Sequence, residues 1–195
     1  MKTILFDIGG VVLHESGIES RRILCKKFGI DEDAFKKFAM RNLKFSLMGK
    51  LHYNDFFGKL AREEKINAKP EDLVKEWVKA REKTSKPNKK LIKLIKELSR
   101  KYKVGCLTNS TILNDKARQR KEIYKIFPIK FISYNLGYAK PEKQIFQIAI
   151  KRLKMELKEI LIIDNSKENL ETAKKLGLKT LFADNNLDKN LRKLL

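Results

Sequence analysis

The chain has little cysteine and little histidine, and it has no long apolar run. Its 195 residues include two cysteines and two histidines. Cys25 and Cys106 lie far apart, and neither belongs to a CxxC pair or has a histidine nearby. This pattern indicates two reduced thiols and excludes a disulfide framework and a metal knuckle. Because no stretch of 18 apolar residues occurs, we expect no membrane span.

The N-terminus also lacks the apolar segment and the cleavage site of a signal peptide. Residues 1–3 lead directly into a strand-like run, so we expect no export and a cytoplasmic location.

Acidic residues are scarce relative to basic ones. The chain has 24 Asp and Glu against 45 Lys and Arg, a formal net charge of +21. Such an excess is typical of polyanion-binding proteins and, in a chain rich in both Lys and Glu, of heat-adapted surfaces. Lys89, Lys93 and Lys96 fall at helical spacing beside an apolar face, as on a solvated helix. Since no nucleic-acid motif is present, we predict a solvated basic surface and no nucleic-acid partner.

Short apolar runs alternate with amphipathic segments along most of the chain. The strand-like runs are Thr3–Phe6, Val104–Thr108, Phe131–Tyr134, Ile160–Ile163 and Thr180–Ala183. Apolar residues at i, i+3 and i+4 predict helices at Asn88–Tyr102, Ala117–Ile126, Pro141–Leu153 and Lys167–Leu176. Such alternation is typical of an α/β fold, and it predicts a Rossmann-like parallel sheet with helices on both faces.

Residues 14–85 break this alternation. They contain no convincing strand, and their periodicity predicts helices at Glu19–Phe28, Asp31–Asn42, Asn54–Glu64 and Glu71–Glu82. We therefore predict two domains: an α/β core made of residues 1–13 and 86–195, and an inserted α-helical cap made of residues 14–85.

Polar residues follow the predicted strands where each strand ends. Asp7 follows the first strand, Thr108 and Asn109 end the second, and Asp164 and Asn165 end the fourth. Lys140 follows the third strand, just before a predicted helix. Ligands of parallel α/β sheets bind outside the carboxyl ends of the strands, so we expect these side chains to form one site.

At these positions the sequence resembles the haloacid dehalogenase superfamily, along nearly the whole predicted core. The matching segments are Phe6–Val12, Leu107–Asn109, Gly137–Pro141, Ile162–Asn169 and Glu171–Leu178. A helical insert between the first two motifs is similar to the family's cap, which contributes substrate specificity.

The resemblance implies a role for each matching residue. Asp7 would be the nucleophile that forms an aspartyl-phosphate, beside a Mg²⁺ ion that also contacts the Gly9 carbonyl. Thr108 and the Asn109 N–H would hold the phosphoryl oxygens, and Lys140 would offset negative charge. Asp164 and Asn165 would complete the metal site.

Two positions depart from the family pattern. Most phosphatases of this superfamily have a second Asp, the general acid, where this chain has Gly9, and an acidic metal ligand where it has Asn165. Loss of general acid–base help typically costs about 10²- to 10⁴-fold, mostly for poor leaving groups. With few carboxylates, Mg²⁺ should bind weakly, in roughly the millimolar range.

The leading hypothesis is therefore a Mg²⁺-dependent phosphatase or phosphotransferase acting on a small phosphorylated metabolite with a good leaving group. Two alternatives stay open: a metal-independent hydrolase of the dehalogenase type, and a catalytically impaired binding protein with the same fold. His14 is a candidate replacement for the missing acid, although a solvated histidine is the simpler interpretation. We expect a monomer or a homodimer.

Overall fold

The strands and helices follow the predicted alternation. The structure is a computed structural model that describes residues 1–195. Its strands are β1 Thr3–Phe6, β2 Leu13–Glu15, β3 Ser85–Pro87, β4 Lys103–Thr108, β5 Ile129–Ile132, β6 Ile160–Asp164 and β7 Lys179–Phe182. Its helices are α1 Gly17–Phe28, α2 Glu32–Leu47, α3 Tyr53–Glu63, α4 Pro70–Thr84, α5 Lys89–Leu98, α6 Ile112–Arg120, α7 Ser133–Leu136, α8 Lys143–Leu153, α9 Lys167–Lys175 and α10 Leu187–Leu194. Short 3-10 helices lie at Ile123–Ile126 and Leu157–Glu159.

Five strands form one parallel sheet in the order β5-β4-β1-β6-β7. The first strand lies in the centre, between β4 and β6. All five strands run the same way, so their carboxyl ends meet at one edge of the sheet. This confirms the predicted parallel α/β fold.

Helices cover both faces of this sheet because successive strand residues point to opposite sides. Ile4 and Phe6 of β1 pack in a cluster with residues of α5 and α10, whereas Leu5 packs in a second cluster with residues of α8 and α9. Both clusters are apolar and buried, so the sheet is held between two layers of helices.

Helices α1 to α4 form a third cluster of buried apolar residues, which includes Phe38, Phe57 and Leu60. Leu113 and Ala117 of α6 belong to the same cluster. The helical segment therefore rests on the helix that follows β4. No helix of the chain combines the length and the apolar composition needed to cross a bilayer.

Strands β2 and β3 form a separate antiparallel ribbon that the sequence analysis did not predict. Each has only three residues, and the ribbon pairs His14 with Lys86. It connects the sheet with the four-helix segment, and the predicted domain limits fall inside it. The two-domain division itself stays a prediction.

Several predicted helices differ at their ends. The helix expected at Asn88–Tyr102 ends earlier, at Leu98, and the one expected at Asp31–Asn42 extends to Leu47. The helix expected at Ala117–Ile126 begins earlier, at Ile112, because the Thr111 hydroxyl accepts a hydrogen bond from Asn114 N–H and caps it. It ends at Arg120 and gives way to a 3-10 helix. The helix expected from Pro141 begins at Lys143, and the proline lies in the preceding turn.

Candidate active site

Asp7 lies directly after β1, at the carboxyl edge of the sheet. Its backbone N–H donates to the Ile163 carbonyl at 2.8 Å, which extends the pairing with β6 by one residue. Only 9% of the residue is exposed. One carboxylate oxygen, Oδ1, lies 3.0 Å from Lys140 Nζ, and the other makes no hydrogen bond within the protein. Asp7 thus has one oxygen fixed by a cation and one available for chemistry.

The buried ammonium of Lys140 contacts three acceptors. Its ammonium donates to the Leu107 carbonyl at 2.8 Å and to Asp164 Oδ2 at 2.6 Å, in addition to the contact with Asp7. Burial alone would lower the pKa of Lys140, but the carboxylates of Asp7 and Asp164 outweigh it and raise this pKa above its usual value. The ammonium therefore stays charged and fixed between β1, β4 and β6.

Asp164 is fully buried at the end of β6 and has all its acceptor sites in use. Oδ1 accepts from Ser166 N–H at 2.8 Å, and the Asn169 amide donates to both oxygens at 3.1 Å. Lys140 takes up the remaining position on Oδ2. A carboxylate has about four lone-pair sites. In this arrangement Asp164 orients Lys140, and direct metal binding would require it to release a donor.

Thr108 and Asn109 end β4 beside these charges. The Asn109 side chain donates to the Lys140 carbonyl and accepts from the Lys140 N–H, both at 2.8 Å. Ser133 fixes the next residue, because its hydroxyl accepts from Ser110 N–H at 3.0 Å. The Asn109 N–H itself donates no hydrogen bond within the protein. The loop after β4 is thus held by hydrogen bonds on both sides and presents one unpaired donor.

The remaining predicted metal ligands are Gly9 and Asn165. The Gly9 carbonyl accepts no hydrogen bond within the protein, and neither does the exposed Asn165 side chain. The Asn165 amide lies over Gly10, where an added Cβ would be 2.3 Å from Asn165 Nδ2. No cluster of three or more His, Cys, Asp and Glu side chains suited to a metal occurs in the chain. The available oxygen donors are therefore one carboxylate, one carbonyl and one amide.

A buried ion pair that the sequence analysis missed lies beside Gly9. Glu15, at the end of β2, accepts from Arg118 Nε at 3.0 Å and from Arg118 Nη2 at 2.7 Å. Arg81 of α4 lies 3.2 Å from the same carboxylate. Burial would raise the pKa of Glu15, but Arg118 and Arg81 outweigh it and lower this pKa. These residues come from three distant segments, and no sequence signal joins them.

His14 lines a cleft with Gly10 and Val11, and its role as a replacement acid stays a prediction. It lies on the exposed side of β2 and makes no hydrogen bond. Phe56, Phe57 and Trp77 pack inside the four-helix segment, where they line an apolar cavity of about 120 Å³. Asp7 and Lys140 do not line this cavity, although its wall includes Thr111, three residues after Thr108.

Comparison with known proteins identifies the family. A family model described as haloacid dehalogenase-like hydrolase matches residues 1–177. The chain therefore belongs to the haloacid dehalogenase-like hydrolase family, as the motifs indicated.

The individual relatives share either a short segment or a low sequence identity with this chain. The chain is 34% identical to a D-ribitol-5-phosphate phosphatase of Bacteroides thetaiotaomicron over 58 residues, which are 30% of this chain and 28% of the relative. A haloacid dehalogenase family enzyme of the same organism has a TM-score of 0.84 and 20% identity, over 98% of each chain. A structure of that enzyme with magnesium and inorganic phosphate has a TM-score of 0.79 and 21% identity, over 93% of each chain. At these identities the solved structures show the shared fold.

Proposed function

We propose that the protein is a Mg²⁺-dependent phosphatase or phosphotransferase that acts on a small phosphorylated metabolite through an aspartyl-phosphate at Asp7. The observation that supports this most is the half-paired carboxylate of Asp7, which is held 3.0 Å from the buried ammonium of Lys140 at the carboxyl edge of the sheet. A fixed nucleophile beside a fixed cation suits an attack on an anionic phosphoryl group.

Asp7 attacks the phosphorus atom with a carboxylate oxygen, and the bond from phosphorus to the leaving oxygen breaks. The leaving oxygen keeps the electron pair and takes a proton from water. A water molecule or an acceptor hydroxyl then attacks the phosphorus, the bond to Asp7 breaks, and the carboxylate is restored. Lys140 offsets the charge throughout, because Asp164 and the Leu107 carbonyl prevent it from moving away.

The loop after β4 binds the phosphoryl oxygens. The Thr108 hydroxyl and the Asn109 N–H are the donors, and the paired hydrogen bonds between Asn109 and the Lys140 backbone set their position. Donors that are fixed in advance stabilise charge in the transition state without reorganising during the reaction.

The oxygen donors at this edge fit Mg²⁺. Asp7, the Gly9 carbonyl and the Asn165 amide would hold the ion together with water and the substrate phosphate, since Mg²⁺ is often bound by one or two carboxylates plus phosphate. When bound, Mg²⁺ neutralises part of the negative charge that Asp7 and the phosphoryl group bring together. One carboxylate is few, so we expect roughly millimolar Mg²⁺ dependence.

Gly9 provides no acid to protonate the leaving oxygen, so the protein should prefer acyl, aryl or anomeric phosphates. The phosphatase relative is named for an alkyl ester, D-ribitol 5-phosphate. A direct comparison of acetyl phosphate, p-nitrophenyl phosphate and D-ribitol 5-phosphate tests this preference. Equal values of kcat/KM for the three compounds would contradict it.

Residues 14–85 serve as the cap in this proposal. The β2–β3 ribbon is the connection about which they would move relative to the sheet. The part of the substrate beyond the phosphate would contact this segment.

The first experiment measures hydrolysis of acetyl phosphate and p-nitrophenyl phosphate with and without Mg²⁺, beside an Asp7→Asn variant. We expect metal-dependent turnover that the variant loses while it keeps its fold. Unchanged turnover in a chelator would contradict the Mg²⁺ requirement, and turnover by Asp7→Asn would contradict the nucleophile.

A further inference from the structure

We propose that Arg118 is a positioning residue of this site: held by Glu15, it fills the space beside Gly9 and aims the Thr108 hydroxyl at the phosphoryl group. This inference rests on the proposed function, because it assigns the phosphoryl group to Thr108. It concerns the place where the chain departs from most phosphatases of its family, which have an acidic side chain at the position of Gly9.

The space beside Gly9 is already filled. The backbone of Gly9 does not lie in the left-handed region, so a side chain there would cause no backbone strain. An added Cβ, however, would lie 3.1 Å from Arg118 Nη2 and 3.3 Å from Glu15 Oε2. The ion pair therefore occupies the space that an acidic side chain at position 9 would need.

Arg118 also determines which way the Thr108 hydroxyl can donate. Arg118 Nη1 lies 3.3 Å from Thr108 Oγ1. A guanidinium has only donors, so the threonine oxygen accepts in this contact and its own hydrogen remains free. Within the protein that hydrogen is donated to the Asn109 carbonyl at 3.4 Å, a long contact. A phosphoryl oxygen would be a better acceptor.

The ion pair keeps Arg118 in this orientation and leaves positive charge in the site. Two of its nitrogens bind the two oxygens of Glu15, a fork geometry that fixes the plane of the guanidinium. Arg81, Glu15 and Arg118 together have a net charge of +1, and each side chain is at most 8% exposed. Water screens such a buried charge little, so it favours an anion nearby. Glu15 is held by two arginines and cannot replace the missing acid.

A double-mutant cycle tests the link between Arg118 and Thr108. The variants are Arg118→Met, Thr108→Val and both together, with kcat/KM for acetyl phosphate measured well below the melting temperature of each. Arg118→Met should lower kcat/KM by about 10- to 100-fold, the usual cost of removing a group that orients a site residue. In the Thr108→Val background it should change kcat/KM by less than about twofold.

A purely structural role gives a different result. Arg118→Met would then cost the same factor in both backgrounds, which would overturn the proposal. A lower melting temperature is expected in either case, because Glu15 loses a buried partner. The matched control is Arg120→Met on the same helix, whose side chain is 60% exposed and pairs with Glu82. It should leave kcat/KM unchanged.

Two further measurements keep the test decisive. If Arg118→Met does not fold, Arg118→Lys replaces it in the cycle, because lysine keeps the charge but lacks the planar fork that binds both oxygens of Glu15 and Thr108 Oγ1 together. If the unmodified protein has no turnover, the proposed function fails. The cycle is then run on the binding of inorganic phosphate with Mg²⁺ by calorimetry. Phosphate binding that Arg118→Met weakens only when Thr108 is present supports the link, and no binding by the unmodified protein overturns it.

Discussion

Replacing Lys140 with methionine should destabilise the protein far more than an ordinary surface substitution. The ammonium has three donors, and all three are used: by Asp7, by Asp164 and by the Leu107 carbonyl. Methionine has a similar length but no charge, so two buried carboxylates lose their cation and a buried carbonyl loses its donor. The loss of the cation should cost more at Asp164 than at Asp7, because Asp164 is fully buried.

Breaking a buried ion pair by removing one partner costs about 3–5 kcal/mol. For a protein of this size, a loss of 1 kcal/mol in the free energy of unfolding lowers the melting temperature by about 2–4 °C. The melting temperature should therefore fall by about 6–20 °C. Urea unfolding followed by circular dichroism gives the free energy of unfolding, and a thermal scan gives the melting temperature. Acetyl phosphate turnover should fall by about 10²- to 10³-fold, as on removal of a fixed charge-stabilising donor.

Lys143→Met is the matched control, because Lys143 is an exposed lysine three residues away that makes no ion pair. The free energy of unfolding of Lys143→Met should lie within about 0.5 kcal/mol of that of the unmodified protein. A free energy of unfolding for Lys140→Met that is equally close to the unmodified value would refute the reasoning. The two carboxylates would then not depend on Lys140.

Three further predictions concern other parts of the chain. Asn169→Leu removes the amide that donates to both oxygens of Asp164. The free energy of unfolding should therefore fall by about 1–3 kcal/mol and turnover should decrease, and unchanged values of both would contradict this. Gly10→Ala should be more destabilising in urea than Gly29→Ala, since both have positive φ but only Gly10 has a side chain within 4 Å of the added Cβ; equal losses would show that φ alone decides. Burial raises the pKa of Cys25 to about 11 and that of Cys106 to about 12. Both thiols should therefore stay protonated at about pH 8 and should not react with a disulfide reagent until urea unfolds the chain, and rapid labelling of the native protein would contradict this.

The sheet could be predicted because its strands are buried and its helices are amphipathic, so each leaves a local pattern in the sequence. β1 begins and ends where its apolar run does. The β2–β3 ribbon could not be predicted in this way: each strand has three residues, and β3 consists of Ser85, Lys86 and Pro87, which have no apolar alternation. Its stability comes from pairing between segments about 70 residues apart, which a local pattern does not record.

The candidate site divides in the same way. Asp7, Thr108, Lys140 and Asp164 were predicted to meet because each follows a strand of one parallel sheet, and the structure brings them together. Their chemical roles stay predictions. Arg118 was missed because it lies in the last turn of a helix, where an arginine is ordinarily solvated. Only the close approach of Gly9, Glu15 and Thr108 distinguishes it.

The most direct test of the account is a search for the phosphorylated enzyme. The protein is mixed with acetyl phosphate and Mg²⁺, quenched in acid within one turnover, digested and examined by mass spectrometry. The account predicts one added phosphoryl group on the peptide that contains Asp7, and none in the Asp7→Asn variant. Turnover without a phosphorylated peptide, or with the phosphoryl group on another residue, would contradict it.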